Sequence, residues 1–311
     1  MAFGPVRSRR LGVSLGVNNI PAKHCTYSCV YCQAGRTPKP EIERRRFFDP
    51  KTVFSQVQEK HGQLISSGGK VDYITFVPDG EPTLDNQIGS SIRLLKEIGP
   101  PVAVITNASL LWRGDVVGDL AEADLVSIKV DATDVGAWRR VNRPHGGLIL
   151  ERVLRGISEF ASSYKGDLIS ETMLVGGHGQ DVQGIASFLS GLGPLKKAYI
   201  STVTRPPAEA SAGIPSDAEL RSALRIFEEN LGRGMAAVIA EHEGDLPYVG
   251  SGDLEGEVLG IAAVHPLREE ALAIFVSSAG GEWGLVERLV SEGKLVVRLH
   301  GGIRYYLARG K

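Results

Sequence analysis

A chain of 311 residues with 42% hydrophobic residues, 23% charged residues and a formal charge of −1 is neither a disordered polyion nor a small disulfide-stapled module. Its length allows one domain of about 200–250 residues and a small second one. The N-terminus lacks a signal-peptide core and no run of 18 uncharged apolar residues occurs, so the expectation is a cytoplasmic protein without a membrane span.

Strand-like runs at 13–17, 73–77, 102–106, 125–130, 168–174 and 197–203 alternate with helical patterns at 50–67, 87–98, 114–121, 148–163, 182–192 and 216–231. That alternation is the pattern of a parallel sheet built from βα units. Six units fall short of eight, so the expected α/β fold is an open, partial (β/α)6 TIM-like barrel, about three-quarters of a closed one. Asp49 before Pro50 is placed to cap a helix, and Ser216 with Glu219 reads as a capping box ahead of a Leu220, Leu224, Phe227, Leu231 stripe. Residues 244–252, rich in Gly, Pro and acids, read as a linker. Helical patterns at 254–263, 266–275 and 283–292 then precede two strand-like runs, 295–299 and 303–307, joined by His300-Gly301-Gly302. Three helices and a hairpin read as a small winged-helix domain over 253–311, with residues 1–243 forming the barrel.

Charge is unevenly spread. Residues 1–51 hold ten Lys or Arg against three acids, and residues 294–311 hold five basic groups and no acid. Basic ends on a mildly acidic body suit an anionic partner or, equally, a solvated surface.

The three cysteines of the chain fall within one run, Cys25-Thr-Tyr-Ser-Cys29-Val-Tyr-Cys32, just after the first strand. An odd count so crowded is no disulfide framework. Three thiolates suit three irons of a [4Fe–4S] cluster and leave the fourth iron open to a chelating cosubstrate. Structural zinc is the competing reading, with His24 or His61 as fourth ligand, and a redox dithiol at Cys29 and Cys32 is a third.

The C-x3-C-x2-C spacing with Tyr31 before the last Cys resembles the signature of the radical S-adenosylmethionine superfamily. The runs Gly4-Pro-Val-Arg-Ser-Arg-Arg-Leu-Gly12, Cys32-Gln-Ala-Gly-Arg-Thr37, Asp79-Gly-Glu-Pro-Thr83, Val141-Asn-Arg-Pro144 and Thr204-Arg-Pro-Pro-Ala208 resemble one branch of it, whose members are often labelled wyosine-synthetase-like. The resemblance spans about residues 4–240, and a C-terminal winged helix fits it.

That resemblance implies one [4Fe–4S] cluster on Cys25, Cys29 and Cys32, with S-adenosylmethionine chelating the open iron. Tyr31 would lie beside the adenine. Gly80-Glu81-Pro82 would receive the methionyl amine, with Glu81 as acceptor and Gly80 allowing close backbone approach. Asn107, Ser127, Lys129 and Asp131 would serve the ribose or the methionyl carboxylate, and Glu171 would be a lumen-facing acid or a paired core charge. The implied chemistry is one-electron cleavage of the cosubstrate, fed by a flavodoxin- or ferredoxin-like donor, then hydrogen abstraction by the 5′-deoxyadenosyl radical. No side chain is assigned as a general base.

Two departures narrow this. Ala108 stands where relatives usually continue with Gly, and the further cysteines that wyosine-base synthases use for a second cluster are missing. Wyosine synthesis, Cys-dependent methyl transfer, Cys-dependent photoproduct repair and sulfur insertion are therefore not expected. The substrate expected instead is a nucleotide or an RNA base such as one in tRNA, met by Arg7, Arg9, Arg10, Arg143 and Arg205. Arg139 and Arg140 add to that charge, and Lys294, Arg298, Arg304, Tyr305 and Tyr306 would form a nucleic-acid contact on the wing. The alternative is a non-catalytic Fe–S redox sensor acting through its winged helix. Tyr31 and Glu81 speak against it, because a sensor needs no cosubstrate cradle.

Overall fold

A computed structural model of the chain describes residues 2–239 and 253–309. The linker expected at 244–252 lies outside the described residues. The chain opens with β1 (Ala2–Ser8), antiparallel to β2 (Gly12–Val17). Then come α1 (Pro50–Ser66), β3 (Tyr73–Phe76), α2 (Ile88–Lys96), β4 (Val102–Thr106), α3 (Gly114–Leu120) and β5 (Leu125–Lys129). After α4 (Val135–Val141) and α5 (Leu150–Ser163) follow β6 (Asp167–Leu174), α6 (Val182–Ser190), β7 (Leu195–Thr202), α7 (Asp217–Leu231) and β8 (Ala236–Ile239). One sheet carries them in the order β1 to β8, parallel from β2 onward, and curls into an open half-barrel.

Eight strands, rather than the expected six, correct the strand count and the three-quarter closure. β1 escapes the sequence pattern because Gly4-Pro5 interrupts it, and its register to β2 shifts between Phe3 and Val6. β8 reads Ala-Ala-Val-Ile, too short and Ala-rich to announce a strand. The short helix α4, capped by Asp134 accepting from Ala137 N, was also not expected. The other caps are as read. Asp49 accepts from Lys51 N and Thr52 N, and Ser216 with Glu219 closes a capping box.

Side-chain alternation along β5 places the site. Val126 and Ile128 join the large core under the helices, while Leu125 joins a separate cluster with Leu11, Ala103 and Ile169 on the inner face. Ser127 and Lys129 share the inner face with Leu125, because every second side chain of a strand points the same way.

Beyond the barrel stand α8 (Leu254–Val264), β9 (Leu267–Arg268), α9 (Glu269–Ser278), α10 (Gly284–Ser291), β10 (Leu295–His300) and β11 (Ile303–Ala308). The strands pair in the order β10-β11-β9. His300 pairs with Ile303 across Gly301 and Gly302, both at positive φ (56° and 79°), as a two-residue hairpin turn demands. This unit has its own core, including Val258, Leu272, Val276, Leu289 and Leu295. It meets the barrel through a Lys60–Glu257 ion pair at 2.6 Å, and His300 Nε2 and Tyr305 OH donate to the carbonyls of Val203 (2.9 Å) and Thr204 (2.6 Å). No helix among the described residues is long and apolar enough to cross a membrane.

Candidate metal and cosubstrate site

The cysteine loop crosses the C-terminal ends of the first parallel strands and is clipped on two sides. On one, Lys23 N donates to Asp79 O and Glu81 N to His24 O, each at 2.9 Å. Gly80 lies so close that a Cβ there would stand 1.9 Å from His24 O. On the other, Ser28 N donates to Asn142 O (3.1 Å) and Val30 N to Val141 O (2.9 Å). The sequence therefore uses Gly80 to press two loops together rather than only to make a turn.

Cys25, Cys29 and Cys32 are free and line one cavity of about 260 Å³, together with Arg10, Lys23, Thr75, Arg205 and His265. Two amides aim at the sulfurs. Asn107 Nδ2 is 3.7 Å from Cys25 Sγ and Asn142 Nδ2 is 3.5 Å from Cys29 Sγ. Burial pushes the Cys29 thiol up to about 12 and that of Cys25 well above its ordinary value. Such sulfurs become thiolates when a metal replaces the proton, and N–H donors then stabilise the anion. The donor set thus fits an iron–sulfur cluster. Among the described residues no three His, Cys, Asp or Glu side chains gather around a single ion, and His24 is held by Glu41 and Arg45.

Glu81 is buried and accepts four hydrogen bonds: from Thr83 N (3.1 Å), Thr83 Oγ1 (2.6 Å), Thr106 Oγ1 (2.6 Å) and Asn107 N (2.7 Å). Burial nonetheless pushes its pKa up. The carboxylate ties the loop after β3 to the end of β4 and so places Asn107 under Cys25. Pro82 begins the 3-10 turn that Glu81 caps.

The Radical SAM superfamily model matches residues 19–190, which is more than half of the chain. The chain belongs to the radical SAM superfamily. A UPF0026 protein of Methanocaldococcus jannaschii is 42% identical over 99% of this chain and 95% of its own. Among solved structures, TYW1 with a lysine-pyruvate adduct bound superposes with a TM-score of 0.55 at 17% identity, covering 70% of this chain and 73% of that one. A radical SAM methyltransferase from Sphaerobacter thermophilus gives 0.53 at 16% identity, over 74% and 67%. These two share the fold. Membership of the radical SAM superfamily implies cleavage of S-adenosylmethionine through iron–sulfur radical chemistry.

The other residues singled out in the radical SAM sequence are distributed unevenly. Lys129 Nζ meets Glu171 Oε1 at 3.1 Å on the inner face, Arg10 pairs with the same carboxylate, and Ser201 Oγ donates to it at 2.8 Å. Ser127 is buried on that face and its Oγ has no partner. Lys129 Nζ also stands 5.1 Å from the centre of the Tyr31 ring. Asp131 lies past the strand end and accepts from Tyr31 OH, from Asn142 Nδ2 (2.7 Å) and from Met173 N (2.8 Å). With those donors, Asp131 positions Tyr31 and Asn142.

Of the expected substrate arginines, Arg10 and Arg205 line the cavity. Arg205 donates to Gln33 Oε1 and contacts His265 Nε2, each at 2.9 Å. Arg9 donates to Ile239 O, Arg143 binds Glu209 at 2.6 Å beside Arg36, and Arg7 is exposed on β1. Much of the basic N-terminus is paired locally: Arg44 with Asp115 and Asp119, Arg45 with Glu41, Arg46 with Asp49. Near the C-terminus Lys294 pairs with Glu255 and Glu292, Arg304 with Glu269, and Tyr306 OH donates to Glu269.

Asn142, Thr83, Thr106, Lys23 and His265 were not assigned roles from sequence. Asn142 sits in the quoted Val-Asn-Arg-Pro run, which was a usable signal. Lys23 gave none because a lysine two residues before Cys25 carries no motif of its own, and His265 gave none because its neighbour Arg205 comes from a distant segment.

Proposed function

We propose that Cys25, Cys29 and Cys32 hold a single [4Fe–4S] cluster and that the adjoining cavity receives S-adenosylmethionine and a substrate. When bound, these groups supply one-electron cleavage of the sulfonium and a 5′-deoxyadenosyl radical that abstracts hydrogen. The observation that carries the reading is the placement of all three free cysteines on one cavity wall, with Asn107 and Asn142 aimed at two of the sulfurs. The chain's own residues fix the sulfurs, keep the cosubstrate cradle at Gly80 in register with them, and hold polar groups of the inner face toward the ligands. Ser127 and Lys129 are the inner-face contacts for the cosubstrate in this reading, and Tyr31 lies beside its adenine.

A nucleotide or an RNA base is the substrate class we favour, on the strength of Arg10 and Arg205 at the cavity. A flavodoxin- or ferredoxin-like donor supplies the electron, in the cytoplasm. The succession of helix, short strand, two helices and hairpin over 253–311, with its separate core, supports a winged-helix domain. The Gly80 cradle pressed against the cysteine loop favours an enzyme over the regulator.

Anaerobic reconstitution should give about four irons per chain, and dithionite with S-adenosylmethionine should release 5′-deoxyadenosine. Full cluster loading and cleavage by Cys29→Ala would overturn the assignment. RNA binding that weakens steeply with salt supports the substrate class, and its absence at low salt removes it.

A further inference from the structure

The three cysteines are held by different parts of the molecule. At Cys25 and Cys29 the barrel does the holding: Asn107 and Asn142 aim an amide at each sulfur, at 3.7 and 3.5 Å, and Glu41 N donates to Cys25 O at 2.9 Å. Among the described residues no such donor reaches the Cys32 sulfur. That corner is reached through its neighbour. Arg205 Nη1 donates to Gln33 Oε1 and Arg205 Nη2 meets His265 Nε2, each at 2.9 Å, and Cys32, Gln33, Arg205 and His265 all line the cavity. A guanidinium has no acceptor, so the imidazole accepts through Nε2.

His265 belongs to the C-terminal unit. It closes α8, with its N–H donating to Ile261 O at 2.8 Å, and the chain then enters β9, which pairs with β11 at Tyr305. The same unit takes Val203 O through His300 and Thr204 O through Tyr305. Three consecutive barrel residues, Val203, Thr204 and Arg205, are therefore gripped by it, and the last of them reaches back to the residue after Cys32.

We propose that Arg205 and His265 are positioning residues for Cys32, so that the C-terminal unit holds the third corner of a cysteine site whose other two corners the barrel holds. A displacement of that unit is then felt at one cysteine before the others. Contacts one step removed from a ligand set both its orientation and the affinity of the site, and a site of three sulfurs is only as firm as its least supported one. The inference rests on the cysteines being the ligands of a cluster.

The test has two arms, both on the full chain. In the apo protein, kept reduced and anaerobic, the rate at which iodoacetamide alkylates each cysteine is read by mass spectrometry. Arg205→Met and His265→Ala should each raise the rate at Cys32 about tenfold and leave Cys25 and Cys29 within about twofold of wild type. His265→Gln, whose side-chain oxygen can accept in place of Nε2, should keep the wild-type rate. In the reconstituted protein, without S-adenosylmethionine, Arg205→Met and His265→Ala should lose iron to a chelator about tenfold faster and change the electron paramagnetic resonance spectrum of the reduced cluster. The proposal is overturned if the three cysteines gain reactivity together, which marks a merely loosened fold, or if either variant leaves Cys32 or iron loss as in wild type. It is also overturned if His265→Gln behaves like His265→Ala. A wild-type chain that takes up no iron would overturn the cluster reading instead, and the alkylation arm would still report on the link from the C-terminal unit to Cys32.

Discussion

Two carboxylates on the sheet, Glu81 and Glu171, are held in opposite ways. Glu81 sits in a cage of neutral donors, two of them backbone amides. Glu171 is held by Lys129, Arg10 and the hydroxyl of Ser201. A neutral cage of two main-chain amides and two short hydroxyl side chains has no charged partner to exchange, so Glu81 is a strut that sets the cysteine loop. Long cationic side chains can leave one anion for another, so the Glu171 cluster is the part of the inner face able to respond to a ligand. Local shape and chemical responsiveness are thereby separated by about three strands of one sheet.

The contrast can be broken at several points. Gly80→Ala should do the most damage, because the added methyl meets the backbone oxygen of His24 rather than a flexible side chain. We expect a loss of about 4 kcal/mol or more in chemical denaturation and reconstituted iron well below that of wild type. Near-normal iron would mean the two loops are not clamped there. Glu81→Ala should cost about 3 kcal/mol, since buried amide and hydroxyl donors lose their acceptor, with little dependence on salt.

Asp85, just after the Gly-Glu-Pro turn, offers a pH test. Burial pushes its carboxyl up to about 6, although Asn19 Nδ2 (3.2 Å) and Gln87 N (3.0 Å) donate to it. In the unfolded chain it ionises near 3.9. The folded state therefore binds the proton more tightly, so this stabilisation is full below about pH 4 and is lost as pH rises through about 6. The change is about 3 kcal/mol, and Asp85→Asn should flatten that part of the stability profile. Equal slopes for the two proteins would count against the burial argument. Smallest is Glu171→Gln, at about 2 kcal/mol, because the amide oxygen still accepts from Lys129, Arg10 and Ser201 while the charge of this largely buried cluster is lost. Its effect should shrink in high salt; a loss as large and as salt-independent as that of Glu81→Ala would erase the distinction.

Much of this architecture was legible in residue order. The inner six strands, the capped helices α1 and α7 and the cysteine run all follow from local pattern, since each is specified within a few residues. The two outermost strands were not, because β1 is broken by Gly4-Pro5 and β8 is four residues of weak preference, and both gain their stability from neighbours. The site divides in the same manner. Spacing identified the cysteines and Gly80-Glu81-Pro82. It did not show that Glu81 is already saturated, that Asp131 is occupied by Tyr31 and Asn142, or that Arg143 is paired with Glu209. Those facts depend on tertiary neighbours that no spacing rule encodes.

The two carbonyls after β7 that accept from His300 and Tyr305 lie 97 and 101 residues before their donors. During synthesis the barrel strands are complete long before that hairpin emerges. The rim at Val203 and Thr204, next to Arg205 of the cavity lining, is thus the last part of the site to be tied down, and until then the cavity lacks the His265 side of its lining. A nascent chain therefore passes through an interval in which the cavity is open on that side, before the C-terminal unit docks.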